Sequence, residues 1–333
     1  MDNNIVFSII MPSYNSSEVI RYALDSIRYQ NYDLNKIECL VVDGGSTDNT
    51  CKIANEYSFV KILNNPQRLP EYAKLLGFQN AKGKYVIKLD SDEAFHDMSA
   101  LSKREEAFSI FPQAKLLIAN KLEYIKGYGI SGKYLNACGD PFTYFMYRPK
   151  ETIIKTYASN IDEVIGNLYL FKFSDLDIRP IADGGSTTFN LQYAKDNIPN
   201  FLDSVTNASS VSDFIFDNNG YCICIDDDFI DHRSKSQFKD YLNKIKFRII
   251  NNVFKSDDAG FSNRKIGSSN KKYLFVLYVL SLILPMFDSL LLCFKYRNFS
   301  MLLHAVYCYY TFFCIAFFIG CKILNINIKS KGY

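Results

Sequence analysis

The sequence predicts an α/β fold: a mostly parallel sheet in the first two thirds of the chain, followed by a membrane-associated C-terminal element. Two observations carry the prediction. Short β-branched runs alternate with helical patterns through the first hundred residues, and after residue 270 the chain changes to two apolar runs of more than twenty residues each. Strands separated by helices of that length imply right-handed crossover units.

Taken in order, FSIIM (Phe7 to Met11) is a strand closed by Pro12-Ser13-Tyr14-Asn15. The stretch from Glu18 to Gln30 then places Val19, Ile20, Ala23, Leu24 and Ile27 on one helical face, with Ser16 or Ser17 as the expected N-cap. ECLVVDGGSTDNT (Glu38 to Thr50) repeats the pattern: a strand, a turn with paired glycines, and Thr47 or Asp48 capping a helix to about Tyr57. A third strand follows at Phe59 to Leu63, a helix at Pro70 to Asn80, and a fourth strand at Tyr85 to Leu89. Between 100 and 250 the signals thin. Leu116 to Ala119, Gly166 to Phe173 and Tyr221 to Ile225 read as strands, and Gln237 to Ile250 as an amphipathic helix. Residues 251–270 are polar and read as a linker.

The apolar runs Lys271 to Phe294 and Met301 to Cys321 are each long enough for a bilayer, which takes roughly 20 residues. The first contains Pro285 and Asp288, so a tilted, re-entrant or interfacial course is an alternative to a straight span. Lysines and arginines on both flanks favour a hairpin with both ends, and the preceding domain, on the cytoplasmic side. Nine cysteines, odd in number and without a Cys-x-x-Cys pair, suit a reducing compartment, and Ile5 to Met11 is too short for a secretory signal. A net charge of +3 with no basic stripe argues against nucleic acid as a partner.

The chemistry concentrates where VIKLDSDEAF (Val86 to Phe95) runs a strand into three carboxylates. Ligands of open α/β sheets bind at the carboxyl ends of the strands. Residues two apart in extended chain share a side, so Asp90 and Asp92 can face one ligand. Their hard oxygens suit Mg²⁺ or Mn²⁺, which would reconcile two carboxylates with an anionic diphosphate.

The three ordered blocks SIIMPSYNSSEVIRYALDSIRYQ, VVDGGSTDNT and AKGKYVIKLDSDE resemble the nucleotide-sugar-binding half of a family 2 glycosyltransferase with the GT-A fold. A later block, GYCICIDDDFIDHRSKSQFKDYLNKIKFR, is similar to the family's strand, histidine and basic helix. The resemblance implies domains at 1–100 (donor half), 101–250 (acceptor half), a linker at 251–270, membrane helices at 271–325 and a tail at 326–333. It implies that Pro12, Ser13, Tyr14, Asp43, Lys74 (with Arg68 as the alternative), Asp90 and Ser91 contact the donor, and that Asp92 and His232 hold the metal. The general base is expected about ten residues before Gly220, where NASSVSDF offers Asp213, with Asp203 and Asp183 as fallbacks. Where the family has paired acids after the second strand, this chain has Asp43-Gly44. The implied activity is inverting transfer of a sugar from a nucleoside diphosphate to a glycan or lipid-linked acceptor, with membrane lipid as a further partner. A nucleotidyltransferase, or a non-catalytic nucleotide-sugar-binding membrane subunit, are the rival readings. The triplet Asp226 to Asp228 reads as a charged turn.

Overall fold

The computed structural model describes residues 5–127, 129–174, 179–180, 187–234, 237–254, 271–326 and 328. The first half runs β1 (Phe7–Ser13), α1 (Ile20–Arg28), β2 (Ile37–Asp43), α2 (Thr50–Ala54), β3 (Val60–Asn64), α3 (Pro70–Asn80), β4 (Tyr85–Lys88), β5 (Glu93–Phe95) and α4 (Ala100–Ile110). Then come β6 (Leu116–Leu117), β7 (Lys121–Tyr124), α5 (Gly132–Cys138), α6 (Pro141–Tyr147), α7 (Ile153–Thr156), β8 (Ile161–Ile165) and β9 (Leu168–Lys172). After these follow β10 (Thr187–Asn190), α8 (Leu191–Asn197), α9 (Val205–Ser209), α10 (Val211–Asn219), β11 (Tyr221–Ile225), β12 (Phe229–His232) and α11 (Phe238–Phe254).

Nine strands form one sheet in the order β3-β2-β1-β4-β10-β6-β11-β9-β8, with β1 to β4 mutually parallel and β10 antiparallel between β4 and β6. Period-two alternation divides its strands between two cores. Phe7, Ile9 and Met11 of β1 face α1 and α4, whereas Ile10 faces α3. Gly77 brings α3 close, since a Cβ there would lie 2.3 Å from Ile10 Cγ2. The chain leaves β1 toward β2 on one side and reaches β4 on the other, so the crevice at the carboxyl ends of β1 and β4 is the sheet's topological switch point.

A second sheet, β5-β12-β7, stands beside the first. Behind it Arg104 of α4 and Asp228, just before β12, form a fully buried pair: Nε and Nη2 donate to the two carboxylate oxygens at 3.0 Å each. Asp228 is therefore a structural tie, which revises the reading of Asp226 to Asp228 as a solvated turn. Ser16 and Ser17 also differ from expectation. The N-cap position of α1 is Val19, and the backbone carbonyl of Ser16, rather than a side chain, accepts from Val19 and Ile20 N–H.

The C-terminal segments form three helices, α12 (Lys271–Leu280), α13 (Ile283–Tyr296) and α14 (Leu303–Ile323). In place of a straight first span, α12 and α13 meet at 88°. Pro285 has no N–H to give the Ser281 carbonyl, and Leu282 turns the chain with φ of 57°. Asp288 is buried and satisfied: Arg148, the C-cap of α6, reaches its Oδ2 at 2.5 Å, and Tyr278 Oη donates to it at 2.6 Å. With the 3₁₀ turn ahead of it, α14 makes a continuous 25-residue helix, Phe299–Ile323, that holds an 18-residue stretch of mean hydropathy 1.8. Of the expected linker, residues up to Phe254 belong to α11 and 255–270 lie outside the described residues.

Candidate active site

Two loops at the carboxyl ends of β1 and β2 are sewn together by side chains. Asn15, in the left-handed region at φ 48°, donates its N–H to Ser46 Oγ at 2.8 Å and accepts Thr47 N–H on Oδ1 at 2.9 Å. Asp48 accepts from Ser17 N–H (3.0 Å), Thr50 N–H (2.9 Å) and Thr50 Oγ1 (2.5 Å). The slight burial of Asp48 acts to raise its carboxyl, but these bonds outweigh it and hold the group down at about 2. Asp43 organises its own turn, accepting Gly45 and Ser46 N–H on Oδ2 and Ser46 Oγ on Oδ1. The Arg68 guanidinium lies over Gly45, Tyr14 is exposed beside Gly44, and Ser13 Oγ is buried without a hydrogen-bond partner among the described residues.

The acidic turn after β4 is joined to these loops by Ser91, whose hydroxyl donates to Ser16 Oγ at 2.9 Å. Beyond it, β5 pairs antiparallel with β12 in a register that sets His232 opposite Glu93, and Arg233 N–H donates to the Asp92 carbonyl at 2.7 Å. That pairing brings His232 Nε2 to 3.5 Å from Asp92 Oδ2. The other ring nitrogen, Nδ1, is 2.7 Å from Asn136 Oδ1 on α5 and must donate to it, because an amide oxygen only accepts. The Nε2 edge is thereby turned toward Asp92, where it would offer a lone pair in the neutral ring; burial acts to lower the imidazole, but Asp92 and Glu93 outweigh it and raise it.

Charge is unevenly held here. Burial acts to raise Asp92, but His232 in its protonated form and Lys244 outweigh it and bring the carboxyl to about 2. Asp90 opens onto the cleft while protein closes around it. That burial raises its carboxyl, with Lys74 opposing and Asp92 adding to the rise. Glu93, whose Oε2 accepts Asp90 N–H at 3.0 Å, is pushed up to about 7 by burial and by Asp90.

A cavity of about 590 Å³ opens from this turn toward the small sheet, and Lys74, Asp90, Glu93, Asn136 and His232 line it. Its far wall is α5, α6 and α11, which contributes Lys244 and Arg248 one helical turn apart. Burial and the neighbouring Arg248 lower the Lys244 ammonium. Of the residues expected to act, Lys74, Asp90 and His232 line the cavity. Pro12, Ser13, Tyr14 and Asp43 lie on the adjoining loops, and Ser91 joins the two regions. Asp213 sits in the first turn of α10 beside Ser212, whose Oγ accepts Lys88 Nζ at 3.2 Å; neither Asp213 nor Asp203 lines the cavity, and Asp183 lies outside the described residues. Sequence reasoning passed over Asn136, Lys244 and Arg248 as site residues. The i, i+4 basic pair on a predicted helix was a usable signal, whereas nothing local marked Asn136.

Among the described residues no group of three or more His, Cys, Asp and Glu side chains is arranged around a metal position. The pair Asp92 and His232 nevertheless fits a divalent ion that takes its remaining ligands from phosphate oxygens and water. One hard carboxylate oxygen and one imidazole nitrogen stand 3.5 Å apart, at the long limit of a hydrogen bond, and both are donor atoms such an ion takes.

Residues 8–109 match the family model for glycosyl transferase family 2. An uncharacterised glycosyltransferase of Mycoplasma pneumoniae is 36% identical over 103 residues, 28% of this chain and 34% of that protein. The minor teichoic acid biosynthesis protein GgaA of Bacillus subtilis is 33% identical over 98 residues, 27% of this chain and 22% of that one. The matched stretch thus spans about a third or less of these relatives. Among solved structures, Staphylococcus aureus TarS superposes with a TM-score of 0.51 at 17% identity over 95% of this chain and 54% of its own. The mannosyltransferase PcManGT of Pyrobaculum calidifontis, solved with GDP-Man and Mn²⁺, gives 0.55 at 15% identity over 92% of this chain and 86% of that one. The architecture is therefore the GT-A fold, and within it residues 8–109 are the stretch similar to glycosyl transferase family 2.

Proposed function

We propose that the protein is an inverting glycosyltransferase that moves a sugar from a nucleoside-diphosphate donor to an acceptor hydroxyl, working at a membrane surface on the cytoplasmic side. The observation that carries this reading is that Asp90 and His232 line one cavity at the switch point of the sheet, with Asp92 Oδ2 3.5 Å from His232 Nε2. The family match, and the fold shared with PcManGT, which was solved with GDP-Man, support a nucleotide sugar as donor.

The donor nucleotide is held by the laced loops. Tyr14 and Arg68 flank the Gly44-Gly45 turn, and the unpartnered Ser13 hydroxyl is available to the ligand. Asp43 acts through that turn's shape, since Gly45 and Ser46 already occupy its carboxylate. Asp90 and Lys74 border the sugar and diphosphate where the loops open into the cavity. Asp92 and His232 would hold Mn²⁺ or Mg²⁺, which when bound supplies Lewis-acid neutralisation of the leaving diphosphate. Asn136 fixes the imidazole tautomer that makes His232 a ligand. Lys244 and Arg248, on the opposite wall, add positive charge facing the same turn. The acceptor hydroxyl enters through the α5–α6–α11 side of the cavity and gives up its proton as its oxygen attacks the anomeric carbon. Asp213, which lies outside the cavity lining, is the base we carry forward because its neighbour Ser212 accepts from Lys88 Nζ, two residues before Asp90. The acceptor class we favour is a lipid-linked or surface glycan, because the apolar helices pack against the elements that form that wall.

The test is release of nucleoside diphosphate from a panel of sugar donors, with Mn²⁺ or Mg²⁺ and with chelator. Asp92→Asn is expected to lower turnover at least 100-fold with an unchanged melting temperature, the size of a lost electrostatic anchor for the leaving group. Full activity of that variant refutes the assignment.

A further inference from the structure

We infer that α12, α13 and α14 are a monotopic anchor that enters a single leaflet of an anionic bilayer, rather than a hairpin crossing it. This goes beyond the proposed activity and does not depend on it.

In a spanning hairpin, the turn between the two apolar segments lies across the membrane from the catalytic domain. Here that turn is bonded to the catalytic domain. Lys133 of α5 donates to the Tyr296 carbonyl at 3.0 Å, and Lys295 donates to the Pro149 carbonyl at 3.2 Å. Midway along the first segment, Asp288 pairs with Arg148 of the same domain. Neither α12 nor α13 is long enough alone: at about 1.5 Å per residue they measure roughly 15 and 21 Å against a hydrocarbon core of about 30 Å.

The helix that is long enough, α14, lies alongside α11 for its length. Its Tyr307 ring packs on Phe238 and Tyr241 (centroids 5.8 and 4.6 Å), and fifteen residues later Lys322 Nζ donates to the Val253 carbonyl at 2.6 Å. The two helices therefore run parallel and in step. Since α11 carries Lys239, Asp240, Lys244, Lys246 and Arg248, it cannot accompany α14 across a bilayer.

The outward face says what covers it. Of 31 large apolar side chains exposed among the described residues, 22 lie between Tyr273 and Ile326. The corner between α12 and α13 projects Leu282 and Ile283 at 59% and 74% exposure, and the last turn of α13 and the 3₁₀ turn before α14 project Phe294 and Phe299 at 79% and 84%. The polar groups of these helices turn inward, where His304 bridges Tyr134 of α5 and Tyr278 of α12 at 2.7 and 2.9 Å. Exposed Lys295, Arg297 and Lys322 stand at the C-terminal ends of the apolar helices α13 and α14, where cations can meet anionic headgroups while the apolar side chains enter the acyl chains.

Two measurements on the full chain test this. In flotation with vesicles of phosphatidylcholine containing phosphatidylglycerol, the wild type is expected to float. Ile283→Glu with Phe294→Glu should reduce the bound fraction at least 10-fold while nucleotide binding and melting temperature in detergent stay unchanged. In sealed inverted membrane vesicles, with the catalytic domain outside, Arg297→Cys should gain one polyethylene-glycol maleimide adduct over the parent without detergent. An adduct that forms only after detergent means the turn is across the membrane and overturns the inference. So does failure to float accompanied by a stable dimer that buries Ile283 and Phe294, because a second copy would then be the occupant.

Discussion

Replacing Asn136 by Leu isolates the orientation of His232 from its presence. The wild-type amide accepts from His232 Nδ1–H at 2.7 Å, and its own Nδ2 is buried with no hydrogen-bond partner among the described residues. The substitution therefore removes one hydrogen bond and one orphan donor of similar size, and the net change in stability should stay within about 1 kcal/mol. What changes is the ring. Without its acceptor, Nδ1–H loses the bond that fixes the tautomer, and Nε2 is no longer held toward Asp92. Loss of such an outer partner lowers metal affinity by about 10–100-fold, or roughly 1.4–2.8 kcal/mol of binding. The assay is Mn²⁺ titration followed by electron paramagnetic resonance with nucleoside diphosphate present, alongside thermal melting. Asn136→Asp, which keeps an acceptor oxygen, should recover most of the affinity. Unchanged Mn²⁺ affinity in a folded Asn136→Leu protein refutes the link between this bond and a metal site.

Three further outcomes are expected. Asp48 has its carboxyl depressed to about 2, so its contribution is present above the ordinary carboxylate value near 4 and is lost as pH falls from about 4 to 2. Because the side chain is exposed, the full shift is discounted for screening, and Asp48→Asn should cost about 1 kcal/mol at pH 7 and almost nothing at pH 2 in urea unfolding. Gly77→Ala sets a Cβ 2.3 Å from Ile10 Cγ2, so overpacking of about 1–3 kcal/mol outweighs the roughly 1 kcal/mol helix gain, and the urea midpoint should fall; a rise would show that α3 is not pressed on β1 as described. Asp213→Asn should cut transfer to an acceptor while leaving donor affinity within twofold, and unchanged transfer would remove Asp213 as the base.

Much of this was legible in the sequence because it is local. Helix α3 begins and ends where the Pro70 start and the apolar spacing place it, and β11 matches its run YCICI. The turn at Asp90 to Glu93 stands at the carboxyl end of β4 because an apolar run must stop before its charges. Caps were less legible: Ser16 and Ser17 bond to the neighbouring loop or through their backbone, a choice made by chain 31 to 34 residues away. In the first apolar segment, Pro285 and Asp288 announced irregularity, but the 88° corner and the tie to Arg148 depend on a partner 140 residues distant.

The sequence by itself determined the alternating architecture, the family resemblance and the acidic turn, since each follows from periodicity or from residues adjacent in the chain. Only the tertiary structure decided that β12 pairs with β5 and so carries His232 to Asp92, that Asn136 orients the ring, and that the apolar helices lie along the catalytic domain. The physical reason is the same in each case. These are contacts between segments far apart in sequence, set by strand register and by which face of a helix finds a complementary surface, and no local pattern of residues encodes either.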